Sequence, residues 1–213
     1  MPLDFLDVAA QEIHPGVWHW MARHPRIGIE VSSYYLPRER VLIDPLLPAE
    51  GFELFERLGE PEHVLMTNRH HDRDAWRLQE RFGCEVHCVR VGVAEVEQRG
   101  RVSAFDFGDE LPGGALALEI DAICPDETAL HLPTYRALAI ADGAVRMRPD
   151  GPLGFVPDEY MDDPQQTKRG LREAYARVLG QGVEPELLLL AHGAPVLAGG
   201  ARALRAFATA DGV

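Results

Sequence analysis

Cysteine is scarce: Cys84, Cys88 and Cys124 are three among 213 residues. An odd number with no CxxC pair argues against a disulfide scaffold and fits free thiols in a reducing cytoplasm. Long hydrophobic runs are missing, and nothing approaches the roughly 20 apolar residues of a membrane span. The first residues, MPLDFLDVAAQE, lack a basic stretch ahead of an apolar one, so no secretory signal is expected. Positive charge is in deficit. Lys plus Arg is 21 against 34 for Asp plus Glu, a net charge of −13. A chain so acidic is a poor general binder of nucleic-acid phosphates. There is no internal repeat, low-complexity tract or linker, and no G-x-S-x-G, P-loop or Rossmann fingerprint. Ser32 and Ser33 have no recognisable nucleophile context.

What is present is ordinary for a globular protein: 46% hydrophobic and 26% charged residues. The expected organisation is a single domain over residues 1–213, with no membrane and no nucleic-acid partner. Residues 27–43 read as two extended runs, IGIEVSSYYL and RVLID, around a polar turn at 37–40. A short helix is expected over 50–58, ended by Gly59, and then a strand HVLMT (63–67). Ala75, Leu78 and Phe82 predict an amphipathic helix from about 73 to 82, stopped by Gly83. EVHCV (85–89) completes a β–α–β succession. Residues 102–147 read as extended. Leu171, Ala174, Tyr175, Val178 and Leu179 mark the clearest helix, with Gly180 expected just past its end and Asp162–Asp163 at its start. LLLLA (187–191) is an apolar strand, and a helix over 200–209 follows. The fold class is α+β, a layered sandwich with helices outside two sheets.

Metal-capable side chains are densest in TNRHHDRD (67–74), between the strand HVLMT and a helix start. That junction suits a ligand site, because α/β-type proteins bind ligands at the carboxyl ends of strands. Asp142 and His192 also follow apolar strands, so all three could share one rim. Each has a plainer reading. Asp72 or Asp74 could cap the helix, Asp142–Gly143 could be a hairpin turn, and His192 could be a structural histidine. His70 and His71 are neighbours, so at most one is expected to face a shared site. His14, His19 and His24, with Trp18 and Trp20, read as an edge strand.

The order of these pieces resembles the metallo-β-lactamase-fold superfamily, which carries T-H-x-H-x-D-H at a strand–helix junction. Thr67, His70 and Asp72 match; Asn68 and Arg73 stand where the motif has its first and last His. ICPDETALHL (123–132) resembles the segment of the third His, with Cys124, or a neighbour in CPDE, in its place. ALAIADG (137–143) resembles the strand of the bridging Asp, LLLLAHGAP (187–195) the final His loop, and VLIDP (41–45) a strand leading to the site. The resemblance implies a four-layer αβ/βα sandwich and a metal-dependent hydrolase of a small-molecule ester, thioester or amide. It implies His70, Asp72, Asp142 and His192, with Cys124, as ligands of one divalent metal, zinc, or of none. Asp72 would orient water, Arg73 would hold a substrate carboxylate or oxyanion, and Glu127 would be an acid–base group. Because Asn is a weak ligand and Arg none, the alternative is a non-catalytic binding protein with an emptied site.

Overall fold

The computed structural model describes residues 8–210. Seven strands form one sheet in chain order: β1 (Val8–His14), β2 (Val17–Arg23), β3 (Glu30–Leu36), β4 (Val41–Ile43), β5 (His63–Leu65), β6 (Glu85–Val89) and β7 (Val102–Phe105). The first four pair antiparallel, and β4 to β7 run parallel. The second sheet has five strands: β8 (Glu110–Leu111), β9 (Ala115–Glu119), β10 (Thr128–Leu132), β11 (Ala137–Ile140) and β12 (Leu187–Leu190). Its order is β12-β11-β10-β9-β8, antiparallel except for β11 beside β12. The helices are α1 (Glu53–Leu58), α2 (Ala75–Phe82), α3 (Val93–Val96), α4 (Pro164–Gly180) and α5 (Gly200–Thr209).

The apolar runs have no polar alternation because both faces of their strands are covered. Val41, Ile43, Leu65 and Val89 pack between the sheets against Ala137, Ala139, Leu187 and Leu189. Their neighbours along the strands point the other way. Leu42, Val64, Val86 and Cys88 meet Leu54, Phe55, Ala75 and Leu78 of α1 and α2. Leu138, Ile140, Leu188 and Leu190 meet Leu171, Tyr175, Val178, Leu204 and Phe207 of α4 and α5. Three cores separate four layers, the αβ/βα sandwich expected.

Some element ends differ from expectation. The strand at 63 stops at Leu65, and α2 begins at Ala75 after a 3₁₀ turn, Arg69–His71. Gly83 does end α2 in a left-handed conformation. Gly180, however, is the last residue of α4; the left-handed residue there is Gly182, at φ 85°. Asp163 caps α4 by accepting from the amide of Gln166, as its acidic start suggested. His19 does not lie on an edge: β2 sits between β1 and β3, and its imidazole is buried against Tyr34.

The sheets are fastened together at one end. Ser32 N donates to Ala191 O at 2.9 Å, Thr128 N to Thr67 O at 2.9 Å, and Tyr34 Oη to Leu190 O at 2.8 Å. This is the end where β4, β5, β11 and β12 all finish.

Candidate metal centre

Asp44 follows β4, the 67–74 segment follows β5, Asp142 follows β11, and His192 follows β12. Their side chains meet on the fastened rim. His71 Nε2, Asp142 Oδ1 and His192 Nε2 converge: His192 is 3.0 Å and His71 3.5 Å from Asp142 Oδ1. One potential donor atom from each of the three lies within 4.8 Å of the others, and the two imidazole rings are 5.4 Å apart.

The histidine in this cluster is His71, not His70. In a 3₁₀ turn adjacent side chains do not simply alternate, and here the turn buries His71 and leaves His70 exposed. The turn is set by Asn68, whose Oδ1 accepts from the amide of His70 at 2.9 Å. His71 Nδ1 lies 2.9 Å from Asp44 Oδ2 and 3.0 Å from Thr67 Oγ1. Asp44 is itself fixed by the Thr67 amide at 2.8 Å and the Thr67 hydroxyl at 2.5 Å. With Nδ1 donating to Asp44, Nε2 is the atom turned toward Asp142. A carboxylate behind an imidazole is the arrangement that orients histidine ligands and raises their basicity.

Asp72 lies outside the cluster. Its carboxylate accepts from Trp76 Nε1 at 2.7 Å, pairs with Arg99, and lies 3.5 Å from Arg26. Asp74 accepts from the amide of Leu47, and neither acid caps α2. Arg73 is engaged by backbone carbonyls. Its guanidinium lies beneath the cluster and donates to the carbonyls of Ser32 and Asp44, both at 2.6 Å, and of Ala191 at 3.5 Å. Cys124 Sγ is 3.7 Å from Glu127 Oε2 and is not among the converging donors. Glu127 is fully buried behind Asp142, not on the rim. It accepts from the Gly143 amide at 2.7 Å and from Asn68 Nδ2 at 3.3 Å. Asn68 Nδ2 also donates to Asp142 Oδ2 at 2.9 Å. Asp142 therefore belongs to the converging cluster, and β11 and β12 run parallel, so it is not a hairpin turn. Asp44 is the residue of this cluster that sequence reasoning passed over; its signal was its place at the end of VLIDP.

Burial governs the charges. It disfavours the His71 cation, but Asp44 and Asp142 outweigh it and lift that imidazole to about 9. Burial would raise Asp142, yet His71 and His192 hold it well below the usual carboxylate range. Burial lowers His192, with Asp142 opposing. Burial and the Asp142 charge push the Glu127 carboxyl up, so of these two acids Glu127 keeps the proton. Burial also lowers Arg73, though a guanidinium stays charged.

Two imidazoles and a carboxylate suit one divalent transition metal, with a fourth position open to water. The same rim does not suit two: Asn68 and Arg73 supply no ligand to a second, and Asp72 is turned away.

No protein-family model matches the chain, and no curated protein matches it. Its structure is similar to that of the DIM-1 metallo-β-lactamase, with a TM-score of 0.72 at 10% identity, over 95% of this chain and 97% of that one. A metallo-β-lactamase from Hirschia baltica gives 0.67 at 17%, over 95% and 97%. Rubredoxin oxygen:oxidoreductase from Desulfovibrio gigas gives 0.67 at 15%, over 94% of this chain. The chain spans 61% of that protein's length. The fold is thus the metallo-β-lactamase sandwich.

Proposed function

We propose that the protein is a metal-dependent hydrolase of a small-molecule ester, thioester or amide, working with a single divalent ion, zinc in the first instance. The observation that carries this reading is the convergence of His71, Asp142 and His192 on the rim where the strands of both sheets end. Those three residues would hold the ion. Bound there, it would lower the pKa of a water and polarise a carbonyl.

The chain's own groups prepare that chemistry. Asp44 and Thr67 fix the His71 ring, and Asn68 holds the second oxygen of Asp142. Glu127, bearing a proton, avoids adding a second negative charge behind Asp142. Arg73 supplies a fixed positive charge below the pocket and limits the site to one ion. Residues 24–29 join β2 to β3 at this rim and carry exposed Ile27 and Ile29. They offer an apolar surface for the non-reacting part of a substrate. The unpaired thiols of Cys84, Cys88 and Cys124 support a reducing, cytoplasmic setting. No helix among the described residues is long and apolar enough to cross a membrane.

The second reading, a binding protein that uses no metal, is favoured by one observation: Asn68 and Arg73 stand where ligands would be needed for a dinuclear site. Metal content of protein purified without chelator, followed by a screen of thioesters, esters and lactams, separates the two. The hydrolase reading expects one ion lost in His192→Ala and turnover abolished by chelator. A rim that binds no ion even after zinc loading would overturn it.

A further inference from the structure

At the other end of the seven-stranded sheet, β5 and β6 begin. His63 and Glu85 are paired across these parallel strands, and His87 lies two residues beyond Glu85. Residues two apart on a strand share a face. Leu65 and Val89 fix that face as the one turned toward the other sheet. His63, Glu85 and His87 therefore form a patch just below the inter-sheet core, with side-chain exposures of 25%, 54% and 10%.

Three atoms of this patch face one another. His63 Nδ1 is 3.2 Å from His87 Nε2, Glu85 Oε2 is 3.7 Å from His63 Nδ1, and it is 3.8 Å from His87 Nε2. The point equidistant from the corners of that triangle lies about 2.1 Å from each, the bond length of zinc to imidazole nitrogen and carboxylate oxygen. A shared hydrogen between the two imidazoles would explain the 3.2 Å edge alone. It leaves Glu85 Oε2 beyond hydrogen-bond reach of both rings. Glu85 is also oriented from behind: Ser103 Oγ, across on β7, donates to Oε1, which turns Oε2 toward the imidazoles. A ligand carboxylate held through its other oxygen is a recurring feature of metal sites.

We propose that His63, Glu85 and His87 bind one divalent transition cation of the zinc, nickel and copper class, at a site separate from the candidate active site. Two imidazoles select that class over magnesium and calcium, which prefer all-oxygen shells. The exposed side of the patch leaves a fourth position for water. The ion would tie the starts of two adjacent strands together without touching the opposite rim.

The test is calorimetric titration of chelator-treated full-length protein with zinc sulfate, in a His192→Ala background that disables the rim. One equivalent is expected to bind, and His63→Gln in that background should weaken it about 100-fold. Nickel should behave alike, and magnesium should give no heat. Because His63 is partly exposed, His63→Gln should keep the far-ultraviolet circular dichroism of the parent and lose only the zinc-induced rise in Tm. Copper(II) bound to the same background should show electron paramagnetic resonance hyperfine splitting from two imidazole nitrogens, reduced to one in His63→Gln. No zinc binding by His192→Ala, or binding that His63→Gln leaves unchanged, would overturn the proposal. His63→Gln alone, with the rim intact, reads the rim site independently.

Discussion

The two ends of the seven-stranded sheet carry similar donor sets in opposite surroundings. At the carboxyl ends, two imidazoles and an aspartate are embedded in buried partners: Asp44, Thr67, Asn68, Glu127 and Arg73. At the amino ends, a half-exposed glutamate and a partly exposed imidazole adjoin the buried His87, with Ser103 behind the carboxylate. The difference is one of mutual dependence. In the buried cluster each charge needs a counter-charge, so a ligand set becomes a network whose members hold one another. In the open cluster water screens the charges, and the ligands depend little on anything else.

Four substitutions or conditions would sharpen or break that contrast. The largest effect is expected from Asp142→Ala, which removes the carboxylate between His71 and His192. It should abolish metal at the rim and lower kcat/KM by about 1,000-fold or more, on the order of the electrostatic contribution a catalytic ion makes. Zinc bound through His63 and His87 should persist, as elemental analysis would read. Next comes Asp44→Asn. In the metal-free protein it leaves the buried His71 cation without one of its two carboxylate partners, so urea unfolding should show a loss of roughly 3–5 kcal/mol. Unchanged stability would mean that the Asp44–His71 pair is not the frame of the site.

The third effect is one of pH. Burial holds the His19 imidazole, which lies 3.0 Å from Ser32 Oγ, down at about 4, against an ordinary 6.5. Between those values the unfolded chain takes up a proton that the folded chain refuses. The stability due to a neutral His19 is therefore complete above pH 6.5 and is lost as pH falls toward 4. The slope is about 1.4 kcal/mol per pH unit, to a total of about 3 kcal/mol. Urea melts of wild type and His19→Gln across this window check it: the wild-type curve should be the steeper by that amount. The smallest effect belongs to Glu85→Gln. Without metal it should change the unfolding free energy by less than about 0.5 kcal/mol, as for exposed ion pairs generally. A large loss would show that the open end is as interlocked as the rim.

The contrast also explains what could be read from the sequence. Strands buried on both faces announce themselves as LLLL and ALAI, so the layers and the polar residues that end them, Asp142 and His192, were legible. The choice between His70 and His71 was not. It depends on a single turn set by the Asn68 side chain, and motif spacing pointed to the wrong neighbour. Asp72 was misplaced because its partners, Arg26 and Arg99, lie 46 and 27 positions away. Glu127 fell behind the rim because its companion, Asn68, lies 59 positions earlier. The amino-end cluster escaped notice for a similar reason. Its members are spread over two strands, and only the pairing of His63 with Glu85 brings them together.

Arg73 has a consequence for how this chain could change over generations. One guanidinium gathers carbonyls contributed by β3, the turn after β4 and the turn after β12. A histidine at position 73 could offer a ligand, but it would give up the guanidinium that joins these carbonyls; Asp44 O and Ala191 O would keep their second donors, Ser33 Oγ and the Ser32 amide. The substitution would exchange a tie between three chain segments for a ligand. A change toward two ions on this rim would also have to rebuild the floor beneath it, since the guanidinium would otherwise leave a fixed positive charge there.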